Sequence, residues 1–177
     1  MIWCDEVLNR VPVLSPNSVS EACIKRIIGS LEQVVIDNIE GDVVELGCHA
    51  GSTSLFIRVM LDLHQSNKEF HVYDSFEGLP PKAVQDNLNI KRFQQGDLSI
   101  SEDIILNNFK YFKLRPPVLN KGWFADIDND KYPTPICFAF LDGDFYQSII
   151  DGLNKIYHKL SPGAVVCIHD YGWEQLP

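Results

Sequence analysis

The stretch from Ile136 to Trp173, ICFAFLDGDFYQSIIDGLNKIYHKLSPGAVVCIHDYGW, leaves few folds open to this chain. It reads as apolar strand, acidic turn, amphipathic helix, Ser-Pro-Gly turn, second apolar strand and second acidic turn. Strands that are apolar throughout belong to parallel sheets covered on both faces. The helix between them sets Tyr146, Ile149, Ile150, Leu153, Ile156, Tyr157 and Leu160 on one face. Both strands end on carboxylates: Asp142 and Asp144 after the first, Asp170, with His169 beside it, after the second. Ligands of open α/β sheets bind outside the carboxyl ends of the strands. This edge is therefore a candidate catalytic or metal site.

Upstream the same alternation continues. Residues 1–17, with Pro12 and Pro16, read as an irregular lead-in, and Ser18 to Asn38 has helical spacing. DVVEL at 42–46 is a buried strand, 47–52 a tight turn, and 53–63 a helix with Leu55, Phe56, Val59, Met60 and Leu63 inward. Phe70–Tyr73 is a second strand ending at Asp74, followed by a loop over 75–81. Ser99 with Glu102 suggests a capping box for a helix reaching Tyr111. A short strand near Val118–Asn120 and a polar loop over 125–135 complete the chain. Five strands alternating with helices predict an α/β fold with a Rossmann-like, doubly wound, mainly parallel sheet. Residues 1–40 form its lead-in and helix and 41–177 its ligand-binding core, one domain overall.

The glycine turn after the first strand points to the ligand. Gly47 and Gly51 let the backbone turn sharply and approach a bound molecule. Ser52, Thr53 and Ser54 place hydroxyls and free N–H groups at a helix N-terminus, suited to a carboxylate or phosphate. The turn lacks both GxGxxG and the lysine of a P-loop. Asp74, ending the second strand, occupies the place where an acid hydrogen-bonds ribose hydroxyls. Glu45 beside the turn would repel a pyrophosphate but suits an ammonium or sulfonium group. Together these residues favour S-adenosylmethionine (SAM) over a nicotinamide dinucleotide.

Composition narrows the partners. A net charge of -9 over 177 residues argues against a nucleic-acid surface. Five cysteines without a CxxC pair suggest neither a disulfide framework nor a zinc site, and Cys137 and Cys167 read as buried thiols. The acidic N-terminus is no signal peptide, and no apolar run reaches the ~20 residues a membrane span needs. The expectation is a cytoplasmic protein with no nucleic-acid or membrane partner.

With these residues in place, the chain resembles the macrocin O-methyltransferase family of class I SAM-dependent methyltransferases. The resemblance runs through VELGCHAGSTS at 44–54, YDSFEGLP at 73–80, GDLS at 96–99, KGWF at 121–124, LDGDFYQSIIDGL at 141–153 and YHKLSPGAVVCIHDYG at 157–172. It implies methylation of a hydroxyl on a sugar or other small secondary metabolite, and self-association. SAM would then meet Glu45, Gly47, Gly51, Ser52, Thr53, Asp74, Ser75, Gly122, Trp123 and Asp142. Family members hold Mg²⁺ with the first Asp of DGD, here Asp142, and an Asp-Asp pair after the next strand. That pair is His169-Asp170 in this chain, and an imidazole there either weakens the metal site or shifts it toward a softer ion than Mg²⁺. Asp142 and His169 are also the candidate bases. Class I methyltransferases carry a sixth and seventh strand beyond this turn, so the expectation is a trimmed piece.

The residues alone leave other readings open. Asp142 or Asp144 could cap the following helix, Asp170 could simply form a turn, and His169 could be packed structurally. Trp123 and Phe124 could border an adenine or serve the core, and Asp126, Asp128 and Asp130 read as a solvated loop. The alternatives in function are a degenerate, non-catalytic SAM-binding module and a metal-dependent phosphatase. The phosphatase is disfavoured because its DxD follows the first strand, not the fourth.

Overall fold

The computed structural model describes residues 4–14, 19–86, 89 and 91–172; Pro16, Ser18 and Trp173 lie outside them. Helices α1 (Cys4–Arg10) and α2 (Glu21–Ile36) lead into strand β1 (Asp42–Leu46) and helix α3 (Ser52–Leu63). Then follow β2 (Phe70–Asp74), α4 (Glu102–Tyr111), β3 (Val118–Lys121), β4 (Ile136–Leu141), α5 (Tyr146–Ile156) and β5 (Leu160–Ile168). The five strands form one sheet in the order β3-β2-β1-β4-β5. Every observed pairing is parallel. The chain winds outward from β1 to β3, then crosses back to place β4 on the other side of β1. The reversal between β1 and β4 is the switch point at which such sheets bind ligands.

Alternation along the strands divides the core into two layers. Val43, Val72, Phe138 and Phe140 pack with the residues of α1 to α4. Val44, Leu46, Tyr73, Ala139 and Leu141 face α5 and the 124–132 segment. Within that second layer Tyr73 and Tyr132 stack with ring centroids 4.3 Å apart.

Several expectations need correction. The lead-in is not irregular: α1 forms, because Val7 and Val11 bury themselves in the core that α2 and α3 share. With α1 and α2 both against it, α3 is buried on all sides from Ser52 to Leu61 rather than on one face. The cap of α4 is Ser101, which accepts from Asp103 N, whereas Ser99 Oγ donates to Phe76 O. The α5 helix stops at Ile156, so Leu160 belongs to β5 and Tyr157 is 75% exposed. The Ser-Pro-Gly segment lies within β5, where the pairing with β4 shifts register between Ile136 and Phe138. Cys137 is fully buried but Cys167 only half-buried, since β5 is an edge strand. No helix among the described residues is long and apolar enough to cross a membrane.

Candidate functional site

The carboxyl ends of the strands open into a cavity of about 1200 Å³. Of the residues singled out from the sequence, Glu45, Gly47, Ser52, Thr53, Asp74, Ser75, Gly122, Trp123, Asp142, His169 and Asp170 line it, and Ser54 stands behind them on Glu45. Gly51 does not line it. It is the left-handed residue (φ 82°) that starts α3, and a Cβ there would lie 2.6 Å from the Ile105 side chain. Its role is to let α4 pack close. Among the described residues the wall carries seven carboxylates against one arginine, Arg92. Such a wall favours cationic ligands.

The turn after β1 is held by Asp74. Its Oδ2 accepts from Cys48 N and His49 N, both at 2.9 Å, and its Oδ1 from Phe76 N at 2.8 Å. The carboxylate thus shapes the loops after β1 and β2 simultaneously, a structural role the sequence pattern does not reveal. Gly47 lies where this turn meets β4: its φ is 90°, and a Cβ would overlap the Asp142 carbonyl oxygen. Ser52 Oγ accepts from Leu14 N at 3.1 Å, tying the N-terminal segment to the turn.

Glu45 is fully buried. Ser54 Oγ donates to its Oε2, while Oε1 has no hydrogen-bond partner among the described residues. Burial is the main cause that raises its pKa to about 8; the Ser54 hydrogen bond opposes this, and the charges of Asp142 and Asp74 add to it. A cation arriving at Oε1 would reverse that shift. The Ser54 contact reaches from α3 back to β1, and only the proximity of strand end and helix start hints at it in the sequence.

The second group lies at the ends of β4 and β5. His169 Nδ1 is 2.9 Å from Asp142 Oδ1 and 3.2 Å from Asp170 Oδ2. Both contacts are within ion-pair range, yet Nδ1 is aligned for a hydrogen bond with neither oxygen. Burial lowers the imidazole pKa, but the adjacent Asp142 and Asp170 carboxylates outweigh it and raise the value to about 12. Asp144, one of the strand-end acids of the sequence and an alternative helix cap, adopts a left-handed backbone (φ 58°) and lines the cavity. Burial, then Asp142 and Asp170, push its pKa up to about 7. The cap of α5 comes from a distant residue: Asp86 Oδ1 accepts from Tyr146 N at 2.9 Å.

One ligand atom from each of Asp142, His169 and Asp170 fits within a 4.8 Å span, the only such group among the described residues. Asp126, Asp128 and Asp130 are exposed and stand apart from it. The buried, unaligned Nδ1 and two carboxylates suit a divalent cation in arrangement. In chemistry, the imidazole suits transition ions better than Mg²⁺, which prefers oxygen.

A parallel sheet in this order, with its acidic cavity at the switch point, is the Rossmann-like α/β fold of class I O-methyltransferases. The structure of the O-methyltransferase NovP matches with a TM-score of 0.74 and 27% identity over 85% of this chain and 65% of NovP. CalS11, a calicheamicin methyltransferase, shares the fold with a TM-score of 0.72 at 16% identity, over 98% of this chain and 77% of CalS11. The family model for macrocin-O-methyltransferase (TylF) matches residues 8–176, and the chain belongs to that family. The tetracenomycin-C 4'-O-methyltransferase of Streptomyces olivaceus, which acts on a dimethoxyrhamnosyl derivative, is 31% identical over 80% of this chain and 57% of its own length. The mycinamicin III 3''-O-methyltransferase of Micromonospora griseorubida is 29% identical over 80% of this chain and 59% of its own length. The chain thus spans a little over half the length of these curated relatives.

Proposed function

We propose that the protein transfers a methyl group from SAM to a hydroxyl of a sugar or other small secondary metabolite. The observation that carries this reading is that a single cavity joins two unlike walls. On one side are the glycine turn and a buried carboxylate oxygen without a partner, Glu45 Oε1. On the other is the Asp142–His169–Asp170 cluster.

In this reading Glu45 receives the ammonium of SAM, and the start of α3 with Thr53 receives its carboxylate. Gly47 lets the backbone approach the cofactor. Asp74 and Ser75 meet the ribose, and Gly122 and Trp123 border the adenine. The acceptor hydroxyl lies beside Asp142. Its oxygen attacks the methyl carbon in line with the departing sulfur, so the C–O bond forms as the C–S bond breaks and the sulfonium becomes a neutral thioether. The hydroxyl proton passes to the Asp142 carboxylate, which His169 approaches to 2.9 Å. Positioning supplies much of the acceleration. Asp142, His169 and Asp170 would hold a divalent ion, which when bound would acidify and orient the hydroxyl.

Calorimetry with SAM, followed by turnover on rhamnosylated and other glycosylated acceptors, tests the reading. Asp142→Ala should lose roughly 10²–10⁴-fold in rate at saturating SAM. SAM binding without transfer across a broad panel would leave a non-catalytic module, and no SAM binding at all would refute the reading.

A further inference from the structure

Helix α5 has no cap from its own segment. Phe145, the residue before it, offers no side-chain acceptor, so the first N–H groups of the helix need one from elsewhere. Asp86 supplies it from the loop that joins β2 to α4. Its side chain is buried, with Oδ1 accepting from Tyr146 N at 2.9 Å and Oδ2 from Ala83 N at 2.7 Å. One oxygen thus holds the helix and the other holds the loop. Neighbouring side chains close the same joint. Phe145, 1% exposed, packs with Leu79 and Phe93, and Lys82 Nζ lies 5.6 Å from the centre of the Phe145 ring.

The loop is itself closed at its base. Leu79 N donates to Asp97 O at 2.8 Å and Gly96 N to Leu79 O at 2.9 Å, which draws its two limbs together. From these limbs Leu79, Pro80, Pro81, Phe93 and Leu98 line the cavity as an apolar wall. Gln147, Ser148 and Asp151 line it from α5. The joint at Asp86 therefore sets the gap between the apolar wall and the helix. Asp142 is fixed independently, since its N–H donates to Leu46 O at 2.8 Å. Breaking the joint would shift the wall and leave that acid in place.

We propose that Asp86 is a positioning residue for the acceptor. By joining the apolar wall to α5, it selects hydroxyls carried on an aromatic or otherwise apolar group over those of a bare sugar. The acids meet the hydroxyl, and the wall meets what the hydroxyl is attached to. The selection rests on the methyl-transfer reading; the joint does not.

Two probes separate the wall from the acids. The aromatic group of para-nitrophenyl α-L-rhamnoside can rest on the wall, and methyl α-L-rhamnoside has no such group. In the intact protein kcat/KM should favour the aromatic glycoside by about tenfold or more, chiefly through KM, as burial of one ring allows. In Asp86→Ala that preference should shrink to about threefold or less. A residue that only stabilised the fold would lower both rates together and keep the preference. Asp86→Asn has one amide oxygen, which can accept from only one of the two N–H groups, and should fall between the two proteins. Hydrogen exchange reads the joint without turnover. In Asp86→Ala the amides of Ala83 and Tyr146 should exchange about tenfold faster or more. Those of Gly47 and Asp142, which donate to Tyr73 O and Leu46 O, should keep their rates. An unchanged preference in Asp86→Ala would overturn the proposal. So would no preference in the intact protein, SAM binding with transfer to neither glycoside, or an equal quickening of all four amides. Absence of SAM binding would instead sink the functional reading, and exchange at Ala83 and Tyr146 would then decide the joint on its own.

Discussion

The two sides of the cavity are built by opposite means. At the ends of β1 and β2 the acid Asp74 turns inward to three backbone N–H groups, and the loops take their shape from it. At the ends of β4 and β5 the acids Asp142 and Asp170 contact a side chain, His169, and among the described residues hold no loop together through comparable bonds. The first side is a scaffold that presents backbone; the second is a set of side chains in which an imidazole lies between two acids. Acids at corresponding strand ends can therefore do different work. The distinction depends on what each carboxylate touches, not on its place in the chain.

The largest effect should come from the residue where the two sides meet. Gly47→Ala would place a methyl against the Asp142 carbonyl at a φ that favours glycine. It should destabilise the protein by about 3–5 kcal/mol in urea titrations. A loss below about 1 kcal/mol would mean that the two sides are not in rigid contact.

Next comes the direct contrast of acids. Asp74→Ala strips acceptors from three N–H groups and should lower stability by about 2–3 kcal/mol, with SAM affinity falling in consequence. Asp142→Ala should change stability by less than about 1 kcal/mol, since it also relieves repulsion on Asp144. Equal losses in the two variants would erase the contrast.

The smallest effect is a pH dependence. Glu45 has a folded pKa of about 8 against 4.5 for the free side chain. Between those values the unfolded chain has released a proton that the folded chain still holds, so stability falls as pH rises through that window. Glu45→Gln should flatten this fall, gaining about 1–2 kcal/mol on the parent by its upper end once relaxation around the buried charge is included. Thermal melts at several pH values would show it, and parallel curves for the two proteins would remove Glu45 as the cause.

The strands were legible in the sequence because their apolar runs need no partner to be recognised. DVVEL, FHVYD and ICFAFL match β1, β2 and β4 to within a residue. Helix α1 was not, because seven residues with one buried valine, Val7, are too short to show a period. In the site, residue type and position at a strand end were enough to gather eleven of the named residues around one cavity. What each of them does was hidden, because it depends on distant partners. Asp86 caps a helix 60 positions away, and Asp74 acts on a turn 25 and 26 positions earlier.

The enclosure of α3 has a consequence for how the chain can vary. A helix with one wet face accepts changes every third or fourth residue, as α2 should at its exposed positions. From Ser52 to Leu61, α3 has no wet face. Tolerance to substitution there should fall as an unbroken block of ten positions, and a saturation scan of the gene should show a plateau of loss where an ordinary surface helix would show a rhythm.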